Sequence, residues 1–201
     1  MTGKEFIESG ILEQYVLGTA SPNELKEVEL RAAADPAIRQ EIAMISETLE
    51  HHAMENAIEP SPVIKVFLMA FIDYEERLKK GEPVTEPPLL NKESKLADYA
   101  LWLKRSDMIY QGAENIFAKI IGHSSIATTA IIWLKDYSPP EEHNNEYERF
   151  LIAEGTCNIT VGDKVHQLVA GDYFAIPLYK SHFVKVTSSI PCKIILQRVA
   201  A

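Results

Sequence analysis

The stretch EEHNNEYERFLIAEG, residues 141–155, decides the fold of this chain together with GDYFAIPLYKSH, residues 171–182. The two stretches contain His143, Glu148 and His182, which are residue types that bind metal ions and which lie in or beside apolar strand patterns. Small β-barrels are usually lined by apolar side chains, so three polar groups that converge inside one need an explanation. Imidazole and carboxylate together suit Zn, Mn, Fe, Ni or Cu, and the mixture alone does not choose among them.

The spacing in both stretches resembles the two motifs of the cupin superfamily, whose members are small antiparallel jelly-roll barrels. The first motif of that family is a His-x-His pair followed by Glu and then Gly, and the second is a Gly, a Pro and a His. Six residues separate Glu148 from Gly155, as in the family. The matching residues of this chain are His143, Glu148, Gly155, Gly171, Pro177 and His182.

This resemblance implies a bound divalent metal ion, with Zn expected first and Mn, Fe or Ni as alternatives. The implied ligands are His143, Glu148 and His182, while Glu141 stands where the family has its first His. We therefore expect Glu141 or Glu142 to supply an oxygen ligand instead, or water to fill that position.

Two further residues are candidates for contact with a small-molecule ligand. Tyr179 and Lys180 lie inside the second motif, near the expected mouth of the barrel, and Tyr179 replaces a Gly of the family pattern. Arg149 should point out of the barrel if Glu148 points in, because neighbouring side chains of a strand face opposite sides. Lys180 is therefore the residue that we expect to bind an anionic ligand.

The first eighty residues show the pattern of four amphipathic helices joined by short loops, which predicts a small bundle or a splayed pair of helical hairpins. Thr2 and Glu5 form a possible capping box at the first helix start. Each of the other three starts is a Ser or Asp followed by Pro, at Ser21, Asp35 and Ser61.

Much of this region, over residues 5–60, resembles the N-terminal domain of bacterial anti-sigma factors that need no zinc. The landmarks are ESGILEQYVLG at residues 8–18, SPNELKEVE at residues 21–29 and AADPAIRQE at residues 33–41. The zinc-binding variety carries a His-x3-Cys-x2-Cys motif, and this chain has no Cys before Cys157. The resemblance implies a sigma factor of the extracytoplasmic-function type as partner.

Charge is compatible with that partner. The chain has a net charge of −9, and residues 1–80 hold eight Lys and Arg against fifteen Asp and Glu, a net charge of −7. An acidic bundle could cover the basic surface that a sigma factor presents to DNA, although acidic residues on outward helix faces also simply keep a bundle soluble. The same charge argues against direct binding to nucleic acid.

Other features of the sequence indicate the cellular location that we expect for the protein. No apolar run approaches the roughly eighteen residues of a membrane span, and the N-terminal residues lack the apolar centre of a signal peptide. Two Cys far apart in the sequence do not make a disulfide framework, so we expect a cytoplasmic protein.

These patterns predict a two-domain α+β protein, with an N-terminal all-α helical bundle followed by a C-terminal antiparallel jelly-roll barrel of about eight strands. The expected boundaries are a helical domain at residues 1–80, a strap with a short helix at residues 81–105, and a barrel at residues 106–201. A homodimer is plausible, because pairing through edge strands would cover their exposed backbone groups.

Three functions are compatible with this layout. The favoured one is a transcription regulator, in which the helical domain holds a sigma factor and the metal-binding barrel senses a signal, as the resemblance to cupin-bearing anti-sigma factors implies. The alternative is a metal-dependent enzyme of the dioxygenase or isomerase type, against which the replacement of His by Glu141 counts. The third is a structural or storage-like binding module with an empty barrel.

Overall fold

In this computed structural model, which describes residues 2–110, 112 and 114–201, the N-terminal region forms four helices, and all but the second begin at a capping residue or a proline. These helices are α1 (Gly3–Ile7), α2 (Ile11–Val16), α3 (Pro22–Ala34) and α4 (Pro36–Glu55). The capping box predicted at Thr2 is present, since its hydroxyl accepts from Glu5 N–H at 3.3 Å and the Glu5 carboxylate accepts from Thr2 N–H at 2.7 Å.

The first predicted helix is two helices in the structure. Gly10 interrupts the helical pattern with a φ of 80°, a left-handed conformation that glycine adopts without steric cost. Helices α1 to α4 enclose a small core of four buried residues, Phe6, Leu12, Val28 and Ile38. This core belongs to the first of two compact units of the chain, Met1–Glu59.

The second unit, Pro60–Ala201, begins with helix α5 (Pro62–Lys79) and so includes a helix that the sequence pattern assigned to the helical domain. The division lies at residues 59 and 60 and not at residue 80. The physical reason is that the apolar face of α5 packs against barrel strands: Ala70 and Tyr74 share one buried core with Ala118 and Ile120. An amphipathic pattern shows that a face is buried, but not which surface covers it.

Two antiparallel sheets form the barrel. Their strands are β1 (Ile116–His123), β2 (Ala127–Leu134), β3 (Glu146–Glu154), β4 (Thr156–Val161), β5 (Lys164–Val169), β6 (Tyr173–Ile176), β7 (His182–Val186) and β8 (Cys192–Ala200). The five-stranded sheet has the order β1-β2-β8-β3-β6 and the three-stranded sheet has the order β5-β4-β7. The α+β layout predicted from the sequence, with helices followed by an antiparallel barrel, is confirmed.

The segment between α5 and β1 covers the outer face of the larger sheet. It contains a 3-10 helix (Leu96–Tyr99) and helix α6 (Ala100–Leu103), and Tyr99 and Trp102 are buried against the sheet with Leu90. The backbone of Leu90 is held at both ends, because its N–H donates to the Gln197 side chain and its carbonyl accepts from Arg149, each at 2.8 Å. The segment is thus a strap packed onto the barrel.

One glycine permits the close approach of this strap to β1. A Cβ atom added at Gly122 would lie 2.3 Å from Cδ of Pro87 and 2.7 Å from the Thr85 carbonyl oxygen. Real side chains do not reach such distances, so a hydrogen at this position is what allows strap and strand to touch.

Among the described residues, no helix is both long and apolar enough to cross a bilayer.

Candidate metal centre

Three elements of the barrel position the residues that the sequence predicted as metal ligands. Glu148 lies on β3 and faces the interior, His182 opens β7, and His143 lies in the loop before β3. The side chains of Glu148 and His182 are 2% and 4% exposed, respectively, which is unusual for such polar groups. A buried polar cluster of this kind needs partners that compensate its lost hydration.

Backbone hydrogen bonds fix the loop that carries His143. Glu141 and His182 form a short antiparallel bridge, in which the N–H of each residue donates to the C=O of the other at 2.9 Å. The carbonyl of His143 accepts from Tyr179 N–H, also at 2.9 Å. The loop is therefore tied to β7 and to the turn before it, which brings the two histidines together.

The three side chains offer ligand atoms at distances that suit a metal ion. Nε2 of His182 lies 3.0 Å and Nε2 of His143 lies 3.4 Å from Oε2 of Glu148. One ligand atom from each of the three lies within 4.8 Å of the others. A tetrahedral Zn with bonds of about 2.0–2.1 Å would keep its ligand atoms roughly 3.3 Å apart, close to these values.

The hydrogen bonding of the two imidazoles also fits a metal. Nε2 of His143 is buried and makes no hydrogen bond within the described residues. Nδ1 of His182 lies 3.2 Å from the Lys180 carbonyl, to which it donates when it carries the proton, and Nδ1 of His143 lies 3.5 Å from a Glu146 oxygen. Oxygen partners on Nδ1 direct Nε2 of each ring toward Glu148, where Nε2 of His182 is within hydrogen-bond distance of Oε2 at 3.0 Å, and a bound metal would take the place of that contact.

The carboxylates of the centre have pKa values shifted in opposite directions. Burial raises the pKa of Glu148, but His143, His182 and the charge of Arg198 outweigh burial and hold it well below its usual range. Burial and the neighbouring Glu148 charge raise the pKa of Glu141. The Glu148 carboxylate raises the pKa of His143 and outweighs the opposing effect of burial. Glu148 is therefore the anionic centre of the cluster.

Arg198 is a site residue that sequence reasoning missed. It lies on β8 directly opposite Glu148 on β3, so both side chains share the inner face of the sheet. Its Nε is 3.0 Å from Glu148 Oε1, and its Nη2 is 3.1 Å from Glu141 Oε2. A signal was available, since one Arg interrupts the apolar strand CKIILQRVA, but only the strand pairing shows which way it points.

Glu141, expected as a fourth ligand, is engaged by this arginine. Its Oε2 accepts from Arg198 and lies 3.7 Å from Nε2 of His143. The group of described residues that could hold an ion consists of His143, Glu148 and His182. A ligand role for Glu141 stays a prediction.

The expected ligand-contact residues are placed on the surface. The side chains of Tyr179 and Lys180 are exposed, and Tyr179 has a left-handed φ of 57°. Their contact with the centre runs through the backbone, by the hydrogen bonds to His143 and His182 described above. Arg149 points outward, as predicted, and binds the strap at Leu90. Arg198, and not Lys180, is the cation inside the barrel, while the predicted ligand contact of Tyr179 and Lys180 remains untested.

Charge balance completes the fit to a divalent ion. Three carboxylates, Glu141, Glu146 and Glu148, surround the single guanidinium of Arg198 at 3.0–3.4 Å. With neutral histidines these four groups carry a net charge of −2, which a divalent ion would cancel. Buried charge is costly unless it is compensated, so the donor set and its charge both suit such an ion.

A protein-family model described as "Cupin domain" matches residues 131–197, and the C-terminal part of this chain is a cupin domain. Cupin domains commonly bind metal ions.

Similar solved structures include KdgF from a Halomonas species, with 18% identity, a TM-score of 0.41, and coverage of 46% of this chain and 87% of the other. A cupin-2 domain containing protein from Shewanella frigidimarina has 20% identity, a TM-score of 0.41, and coverage of 54% and 95%. A cupin superfamily protein from Desulfitobacterium hafniense has 17% identity, a TM-score of 0.44, and coverage of 60% and 100%. No protein of curated function matches the sequence.

Proposed function

We propose that this protein is an anti-sigma factor, in which the helical unit Met1–Glu59 sequesters a sigma factor of the extracytoplasmic-function type and the cupin domain is a metal-binding sensor. The observation that carries the proposal is the separation of charge between the two compact units. Residues 1–59 hold four Lys and Arg against twelve Asp and Glu, a net charge of −8, while the chain as a whole has −9. The remaining residues are thus nearly neutral.

An acidic surface of this kind suits a basic partner. Complementary charge accelerates association and selects among partners, and a surface that binds DNA is basic. The resemblance of residues 8–41 to the anti-sigma domain favours a sigma factor among the basic partners that this charge would suit.

Apolar residues on the same unit could supply the buried part of such an interface. Among the described residues of the unit, five large apolar side chains are more than half exposed: Leu17, Leu30, Met44, Met54 and Ile58. Apolar side chains surrounded by charge are the usual composition of a protein-binding surface, where burial contributes affinity and the charged rim contributes specificity.

The cupin domain would hold a divalent ion on His143, Glu148 and His182. When bound there, the ion supplies a Lewis-acid centre that can take an oxygen or anionic ligand. Arg198 keeps Glu148 ionised, and the Lys180 carbonyl orients the His182 ring, so both act as supports of the ligand set.

The enzyme alternative has less support. The cavity beside Glu148 and His182 has a volume of about 50 Å³, whereas pockets that bind small molecules usually have about 300–1,000 Å³. A substrate of ordinary size does not fit in this inner cavity, so an enzyme would have to bind it in the open groove of about 510 Å³ that Glu141, His143 and Arg198 help to line.

The proposal is tested by mixing the purified full-length chain with extracytoplasmic-function type sigma factors from the same organism. We expect one of them to form a complex in gel filtration, and the complex to prevent that sigma factor from binding core RNA polymerase. The matched measurement uses chain stripped of metal by a chelator and chain reloaded with Zn. Failure to bind any of these sigma factors in either state would overturn the proposal.

A further inference from the structure

Helix α5 separates the buried part of the candidate metal centre, Glu148 and His182, from a groove on the protein surface. The inner cavity, of about 50 Å³, is lined by Glu148 and His182 among others. The outer groove, of about 510 Å³, is open and reaches His143. Four residues line both spaces and therefore form the wall between them: Val63 and Phe67 of α5, with Glu141 and Arg198 of the barrel.

One contact in this wall joins the helix to a charged residue of the barrel. The guanidinium carbon of Arg198 lies 4.4 Å from the centre of the Phe67 ring, the geometry of a cation–π interaction. The same guanidinium binds Glu148 and Glu141. Phe67 is thus in contact with a residue that touches the candidate ligand Glu148 directly.

The two ends of α5 are attached to the barrel unequally. Near the C-terminal end, Arg77 donates to the Ile120 carbonyl on β1 and is paired with Asp73 and Glu82. Glu82 in turn is paired with Arg105 of the strap. Several strong contacts therefore fix this end of the helix.

The N-terminal end has fewer attachments. Ser61 makes no side-chain cap, and residues 56–62 are all exposed. The side chains of Ile64 and Leu68 are 58% and 57% exposed, so in this half of the helix the apolar contact with the barrel rests on Val63, Val66 and Phe67. A helix that is fixed at one end and has few contacts at the other opens at the end with few contacts, because local unfolding there costs the least free energy.

We propose that the N-terminal half of α5 is a lid over the metal centre, with Phe67 on Arg198 as its closing contact. Opening would join the inner cavity to the outer groove and give solvent, ions and ligands access to Glu148 and His182. The lid follows directly on residues 56–61, which connect it to α4 in the chain. This inference rests on the metal-binding part of the proposed function and not on the identity of the protein partner.

Metal exchange in the full-length chain tests the lid. We expect Phe67→Ala to keep the same Zn content as the unmodified chain but to lose Zn to excess chelator roughly tenfold faster, since both the cation–π contact and apolar packing are removed. Ile72→Ala is the matched control, because Ile72 is a 43% exposed residue of the same helix that lines neither space. Equal rates of Zn release from Phe67→Ala and Ile72→Ala would overturn the proposal that α5 is a lid.

Hydrogen–deuterium exchange gives a second test that does not depend on metal. We expect backbone amides of residues 66–69 to exchange faster than those of residues 70–79, and Phe67→Ala to accelerate only the first group. Uniform exchange along α5, or no effect of Phe67→Ala, would contradict the proposal. If the chain bound no metal, the metal-binding part of the proposed function would be wrong. The hydrogen–deuterium exchange pattern along α5 would then be the test of whether its N-terminal half is a lid.

Discussion

Arg198 lies directly opposite Glu148 on neighbouring strands, and its Nε is 3.0 Å from Glu148 Oε1 while the other carboxylate oxygen, Oε2, faces the two histidines. The carboxylate therefore connects an internal cation on one side with a candidate metal position on the other. Because Arg198 also contacts Phe67, the electrostatics of the centre and the packing of α5 are coupled through one side chain.

The metal centre predicts a defined loss on mutation. We expect about one divalent ion per chain in protein prepared without a His-tag, and none in the His143→Ala, His182→Ala double variant, because one carboxylate cannot hold the ion alone. Elemental analysis after gel filtration measures this. His123→Ala, His166→Ala is the matched control, since these histidines lie outside the cluster. An unchanged metal content in the first variant would refute the ligand assignment.

Replacing Arg198 should destabilise the metal-free protein. The substitution Arg198→Met leaves the buried Glu148 and the half-buried Glu141 without their cation, and breaking a buried ion pair costs about 3 kcal/mol of unfolding free energy. Added Zn should restore part of the loss, because the ion supplies positive charge beside the same carboxylate. Urea unfolding followed by tryptophan fluorescence reports on this unit alone, since both tryptophans, Trp102 and Trp133, belong to it.

The exposed hairpin residue Lys164 provides the control for that experiment, as Lys164→Met removes a cation of similar length from the surface. A loss of stability no larger in Arg198→Met than in Lys164→Met would show that the internal ion pairs contribute little.

The ion pairs at the end of α5 predict a pH dependence. Hydrogen bonds from Arg105, with a further contribution from Arg77, hold the pKa of Glu82 below its ordinary value of 4.5 despite partial burial. A carboxyl with a lowered folded-state pKa stabilises the fold above the unfolded value and loses this contribution as the pH falls through the folded value. The Glu82→Gln variant should therefore be less stable than the unmodified protein at pH 7.

This difference should shrink as the pH falls below about 4.5, because the unmodified carboxyl becomes protonated and resembles the amide. Urea unfolding of both proteins between pH 7 and pH 3, again by tryptophan fluorescence, measures it. The control is Glu86→Gln, which changes a residue of the same strap that makes no ion pair within the described residues. A difference independent of pH would argue against an electrostatic role of Glu82.

The strap predicts a steric effect at one glycine. Gly122→Ala places a methyl group against Pro87 and the Thr85 carbonyl, so strap or strand must move. We expect a loss of roughly 1–3 kcal/mol in unfolding free energy, the usual cost of overpacking. Ser125→Ala, at an exposed position of the same hairpin, should change stability little. Equal stability of the two variants in thermal unfolding would show that the strap is loosely held.

The sequence alone determined the order and type of the elements. Capping residues and prolines mark helix starts at Thr2, Ser21 and Asp35 because a helix needs side-chain acceptors for its first N–H groups. Short apolar segments predicted the strands, and the spacing of two short motifs singled out His143, Glu148 and His182, which the structure brings together. Their binding of a metal stays a prediction.

Only the tertiary structure decided which surfaces meet. Arg198 enters the centre because β8 pairs with β3 in one particular register, and the two residues are separated by fifty positions in the chain. Helix α5 belongs with the barrel because its apolar face packs against β1, whereas its pattern alone is equally compatible with a helical bundle. Local periodicity is set by neighbouring residues, but pairing between distant elements depends on the packing of the whole fold.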